Sequence, residues 1–212
     1  MHRGSVRLLA LCGAATFFAL GGCGTHTVEA NEPWSLGPYG EFLDEYLDKA
    51  RAGGASQEQL DALIAARAAG RIDIEQVREA MAATARCLEV SGFTVSLSDG
   101  VKPSGYVQPQ YVAAFPADLT TAQADALVES CDNKNSFWLS AAYQMQPEAR
   151  DQLGAYVMSR EPQLRQCLAD HGYSTDPKAT GWELAQQALQ VFSDAHGDNA
   201  VDCLSDAGID SL

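Results

Sequence analysis

Cysteine has the widest chemical range of any residue in this chain, and it sits in a phrase that occurs three times. The copies are "TARCLEVSGFTV" at 84–95, "LRQCLADHGYST" at 164–175 and "AVDCLSDAGIDS" at 200–211. Each runs cysteine, leucine, three variable residues, glycine and an apolar or aromatic residue. With Cys131, the cysteines of these phrases (Cys87, Cys167 and Cys203) make an even set, which in an exported protein favours two disulfides over free thiols or metal. Zinc more often shows close cysteine pairs, and the chain has none. Four cysteines allow three pairings. The pairing favoured is Cys87 with Cys131 and Cys167 with Cys203, because each bond then ties a helix to the next cysteine-bearing helix within one half of the chain.

Other chemistry is sparse. The histidines beyond the leader are His26, His171 and His196. The segment "DAHGDNAVD" gathers Asp194, His196, Asp198 and Asp202, yet it reads better as a polar loop in which Asp198 caps the last helix. His171, in a last helical turn, suits the negative end of the helix dipole and has a structural role. "AAGRIDIEQ" places Gly70 and Ile72 as a calcium loop would. The ligand positions, however, would be Ala65, Arg67, Ala69 and Gln76, which lack the carboxylates calcium needs. Serine-elbow, zinc-helix and phosphate-loop motifs are all missing from the sequence. No residue is therefore assigned to catalysis, to a cofactor or to a metal, and a hydrolase with an unfamiliar site is the least favoured reading.

Cys23 has a different role. Arg3 and Arg7 precede an apolar run from Leu8 to Leu20, followed by small residues, which is the form of an export leader. As a helix the run would reach about 20 Å against roughly 30 Å of bilayer hydrocarbon, too short to span it. "LGGC" at 20–23 resembles the lipobox of bacterial lipoproteins. That resemblance implies cleavage before Cys23, with the Cys23 thiol lipidated and residues 1–22 removed as the signal peptide. Residues 23–35 are short and polar and read as a flexible tether. The reading places residues 36–212 as a single helical domain, with possible halves 36–145 and 146–212.

Loss of the leader would leave 12 basic against 28 acidic side chains, a formal charge of −16. Such a surface repels nucleic acid and anionic lipid head groups, so the membrane is the partner only through the N-terminal lipid. The sequence leaves any protein or small-molecule partner, and the oligomeric state, open.

The cysteines need helices to carry them. Tyr39, Phe42, Leu43, Tyr46 and Leu47 recur at helical spacing between Pro38 and Gly53. Ser56 with Gln59, then Asp73 with Gln76, have the form of capping boxes that open helices closed by Gly70 and Gly92. Further helices are predicted over 121–131, 136–145, 147–171 (kinked at Pro162), 181–195 and 199–206. Between Phe93 and residue 115 the period shifts towards two, with a turn offered by Asp99-Gly100 and a second extended stretch at 106–111, demoted by Pro109. The predicted fold class is mainly α: a disulfide-braced helical domain with a small β-hairpin or extended pair around 93–115. Phe137, Trp138 and Tyr143 read as core.

The recurring phrase is thus a helix terminator before it is anything else. In a Schellman ending a left-handed glycine follows the helix, and the residue after it meets the residue four before the glycine. Gly92, Gly172 and Gly208 are the expected glycines, with contacts Leu88 to Phe93, Leu168 to Tyr173 and Leu204 to Ile209.

The lipobox, residues 57–93 and the later cysteine phrases together resemble uncharacterised actinobacterial lipoproteins. The resemblance implies anchoring at the extracytoplasmic face of the membrane and hands over no activity. The expectation is a non-enzymatic interaction or envelope-associated module, with a small-molecule or peptide-binding lipoprotein as the alternative. A cleft lined by tyrosines or by Trp138 or Trp182, with convergent polar groups, would favour the alternative.

Overall fold

The structure is a computed structural model that describes residues 38–194 and 201–209. The expected leader, Cys23, the tether, His26, His196 and Asp198 lie outside the described residues. The described residues are mainly helical, with one antiparallel hairpin and two disulfides among them. It divides into two compact units: residues 38–98 with 109–140, and residues 99–108 with 141–194 and 201–209.

The first unit contains α1 (Tyr39–Ala52), α2 (Gln57–Ala69), α3 (Ile74–Val90) and α4 (Thr121–Asn135). Leu43, Leu47 and Ala50 bury one face of α1, which packs on α2. Gly53 follows α1 without a left-handed φ. Its importance lies in its missing side chain, because a Cβ there would come within 2.1 Å of Trp138 Cζ2. Trp138 also meets Tyr46 edge-on at 5.3 Å, so it fills the space beside the end of α1. Of the expected aromatic trio, Phe137 is 42% exposed and does not belong to the core.

Ser56 caps α2 by accepting from the Gln59 N–H, but only half of that capping box forms. The Gln59 side chain is buried and turned away from its own cap. Its Nε2 donates to the carbonyls of Asn133 (3.1 Å) and Lys134 (3.0 Å), and its Oε1 accepts from the Leu139 N–H (3.0 Å). One amide thereby satisfies the end of α4 and the start of the next helix, groups that helix geometry leaves orphaned. The Asp73 and Gln76 box does form, with the Asp73 N–H donating to Gln76 Oε1 at 2.9 Å.

The hairpin pairs β1 (Thr94–Val101) with β2 (Val107–Ala114). Its turn is not at Asp99-Gly100, which lie inside β1, but at Lys102–Tyr106. Pro103 pre-sets φ after Lys102, and Gly105 takes φ +85°, so this segment holds the better turn chemistry. Pro109 sits within β2, which a two-stranded sheet tolerates because each strand has a free edge. The turn end of the hairpin belongs to the second unit.

α5 (Phe137–Gln144) begins in the first unit and ends in the second. The second unit continues with α6 (Pro147–Ser159), α7 (Glu161–Asp170), α8 (Gly181–Asp194) and α9 (Cys203–Asp206). The expected kinked helix over 147–171 is two helices broken at Arg160, which ends α6 and opens α7. Pro162 explains the break: it has no N–H for the Met158 carbonyl, and its ring is tolerated only in a first turn, which is where α7 places it. Gly181 begins α8 against the end of α6, where an added Cβ would lie 2.7 Å from the Val157 carbonyl oxygen and 2.8 Å from Met158 Cα. The last helix starts at Cys203, later than the expected residue 199. Asp202, in place of Asp198, caps it by accepting from the Ser205 N–H at 3.0 Å.

Candidate functional site

Each recurring phrase ends its helix in the same way. Gly92, Gly172 and Gly208 have φ of 87°, 81° and 75°. The residue after each glycine donates its N–H to the leucine carbonyl: Phe93 to Leu88 at 3.1 Å, Tyr173 to Leu168 at 2.9 Å and Ile209 to Leu204 at 2.8 Å. Each glycine N–H closes the inner bond, to Glu89, Ala169 and Ser205 respectively. These paired bonds define the Schellman motif. Leu88 and Phe93 share one buried cluster, and Ile209 is buried, whereas Tyr173 is 38% exposed although Leu168 is buried.

The bridges are Cys87–Cys131 and Cys167–Cys203, with Cα separations of 5.8 and 5.6 Å. The first joins α3 to α4 and the second joins α7 to α9, so each lies within one unit. Their surroundings differ. Cys131 is buried beside Leu88, Phe93 and Ala124, and Cys87 packs against that cluster. Beside Cys167 Sγ stand Asp206 Oδ2 at 3.6 Å and His171 Nδ1 at 3.8 Å. His171 Nδ1 is also 2.9 Å from the Cys167 carbonyl, the bond of a ring that closes a last helical turn.

The second unit holds a small cavity of about 80 Å³ between the hairpin turn and α6. Tyr106, Tyr156, Leu153 and Ile209 supply apolar wall, and Lys102 and Ser104 supply polar groups. The tyrosines are rigidly placed: Tyr106 Oη donates to the Tyr143 carbonyl at 3.0 Å and accepts from Gln146 Nε2 at 2.8 Å, and Tyr156 Oη donates to the Gly208 carbonyl at 2.9 Å. Burial pushes the Tyr106 phenol well above its ordinary range, so it stays neutral.

A buried polar relay crosses the first unit. Thr84 Oγ1 donates to Ser136 Oγ (2.7 Å), Ser136 Oγ to Asp132 Oδ1 (3.2 Å), and Tyr111 Oη to Asp132 Oδ2 (2.7 Å). Desolvation raises the Asp132 carboxyl above the usual range, opposed by the hydrogen bonds from Tyr111 and Ser136. The serine donates to the carboxylate, and these hydrogen bonds tie α3, β2 and α4 together.

Of the residues singled out from sequence, the fold brings His171 to the second bridge and uses Asp202 as a cap. The contacts of Gln59, the Asp132 relay and the place of Asp206 depend on tertiary packing that sequence spacing does not show. Fold and bridges define the class: a disulfide-braced helical domain. No family model, curated protein or solved structure matches the chain.

Proposed function

We propose that the chain is a membrane-anchored extracytoplasmic lipoprotein of the actinobacterial type, held by lipid on Cys23 and acting as a non-enzymatic interaction or envelope-associated module. The observation that carries this reading is the pair of bridges, because such bonds form and persist outside the reducing cytosol. The leader and the "LGGC" before the tether point the same way. None of the described helices is long and apolar enough to cross a membrane, so attachment on this reading falls to the lipid. Two acyl chains, at about 0.8 kcal/mol per buried methylene, hold a protein stably where one does not.

Mass spectrometry of protein from its native host tests the anchor. A diacylglyceryl group on Cys23 at the mature N-terminus is expected, with the other four cysteines resisting alkylation until a reductant is added. An unmodified Cys23 together with freely alkylated thiols would end the proposal. Crosslinking on intact cells then identifies the partner.

The small-molecule reading draws on one observation, the tyrosine-lined cavity with Lys102 and Ser104 at its wall. Its volume is well below the ~300 Å³ at which drug-sized sites begin, so it suits the end of a ligand or a single peptide side chain. Free amino acids and short peptides are the probes. Chemical-shift changes confined to residues 102–108 and Tyr156 would support this reading, and their absence at millimolar probe would remove it.

A further inference from the structure

Three metal-ligating side chains converge at the second bridge, and a carboxylate stands beside one of them. A nitrogen of His171 and the sulfurs of Cys167 and Cys203 all lie within 4.8 Å of one another, and Asp206 Oδ2 stands 3.6 Å from Cys167 Sγ. Each pair shares a helical face: Cys167 and His171 are four residues apart at the end of α7, and Cys203 and Asp206 are three apart on α9. Two sulfurs, one imidazole nitrogen and one carboxylate oxygen form a four-donor set of the kind zinc takes. While the bridge is intact the sulfurs carry no negative charge and bind cations poorly. Among the described residues, Cys87 and Cys131 belong to no such group of ligating side chains.

We propose that Cys167, His171, Cys203 and Asp206 are a latent site for zinc or a similar divalent cation, shut while Cys167 and Cys203 are bonded and opened when a dithiol reduces them. The dithiol gives two electrons and two protons to the S–S bond and becomes a disulfide itself, leaving two thiols. The cation then displaces both thiol protons to solvent and binds two thiolates. Its charge also offsets the Asp206 carboxylate, which without a cation would repel a thiolate at Cys167. Nδ1 is the His171 nitrogen beside Cys167 Sγ, at 3.8 Å, and it also lies 2.9 Å from the Cys167 carbonyl oxygen, so a cation taken by Nδ1 replaces that contact.

Cobalt(II) is the probe, added to the purified lipidated protein in detergent with and without a phosphine reductant. The reduced protein should bind one equivalent, with the visible bands of tetrahedral cobalt and a thiolate charge-transfer band, and the oxidised protein should show neither. His171→Ala and Asp206→Asn leave the bridge in place, so both variants can be prepared folded. After reduction each should bind cobalt at least about tenfold more weakly, a loss at the lower end of that seen when groups outside the ligand shell are removed. If reduction unfolds the second unit, one equivalent of zinc should restore its circular dichroism, because a cation bound only by the folded form pulls the equilibrium towards it. Overturning results are reduced protein without cobalt bands, unfolded protein that zinc does not restore, or bands unchanged by both substitutions.

Discussion

Replacing Gln59 by leucine should be among the most damaging single changes in the first unit. The side chain is nearly the same size, so little volume is lost, and what disappears is polar: two donated bonds to Asn133 and Lys134 and one accepted from Leu139. Each buried bond contributes about 1 kcal/mol net, and a buried donor stripped of its partner costs about 1–3 kcal/mol. The Lys134 carbonyl keeps the Ser56 N–H at 2.8 Å, which limits the damage there, while the Leu139 N–H lies in the first turn of α5, where no helical carbonyl is available. The expected loss is therefore about 3 kcal/mol. Urea unfolding with the bridges intact, followed by far-ultraviolet circular dichroism, measures it. Gln57→Leu in the same helix is the control, since Gln57 is exposed and bonds Asp61, and such surface changes stay within about 0.5 kcal/mol. Gln59→Glu should be worse near neutral pH than in acid, because a carboxylate would face two carbonyls. If the leucine variant is no less stable than the control, the amide is not what joins these helix ends.

Gly172→Ala should cost about 1 kcal/mol from positive φ alone, since nothing crowds its Cβ position, while Gly208→Ala should cost more, because its Cβ would meet Tyr156 Oη at 3.1 Å; thermal melts rank the two. Asp132→Asn should flatten the pH dependence of stability. The raised carboxyl contributes stability that is fully present below its unfolded value and is lost as pH rises through the folded one, so the wild-type minus variant difference should decline just above the ordinary carboxylate range in pH-dependent urea titrations. Removing the first bridge as Cys87→Ala with Cys131→Ala releases a loop with a sequence separation of 44 residues and should cost about 4 kcal/mol in the same unfolding assay.

Local signals were legible in the sequence and distant ones were not. The three terminators could be read because a Schellman ending is written within six residues, and the helix starts at Ser56 and Asp73 because caps are written within four. Spacing points Gln59 to a capping box, but the same residue type also serves a distant carbonyl, and its partners lie 74 to 80 residues away. The break at Arg160 is hidden because apolar periodicity runs across it, although Pro162 two residues on marks a first turn as well as a kink. Asp99-Gly100 offers a common turn dipeptide, while Pro103 and Gly105 carry the stronger signal. Cys167 with His171 and Cys203 with Asp206 are visible as spaced pairs, but only the packing of α7 on α9 makes them neighbours.

The hairpin turn at Lys102–Tyr106 falls between Cys87 and Cys131. A peptidase cutting there would produce two pieces that stay joined through sulfur. On a denaturing gel the nicked chain would run as one species until reductant separated the fragments. If the protein sits outside the cytoplasm, as proposed, that cross-link turns a loop severed by a protease into a tolerable wound.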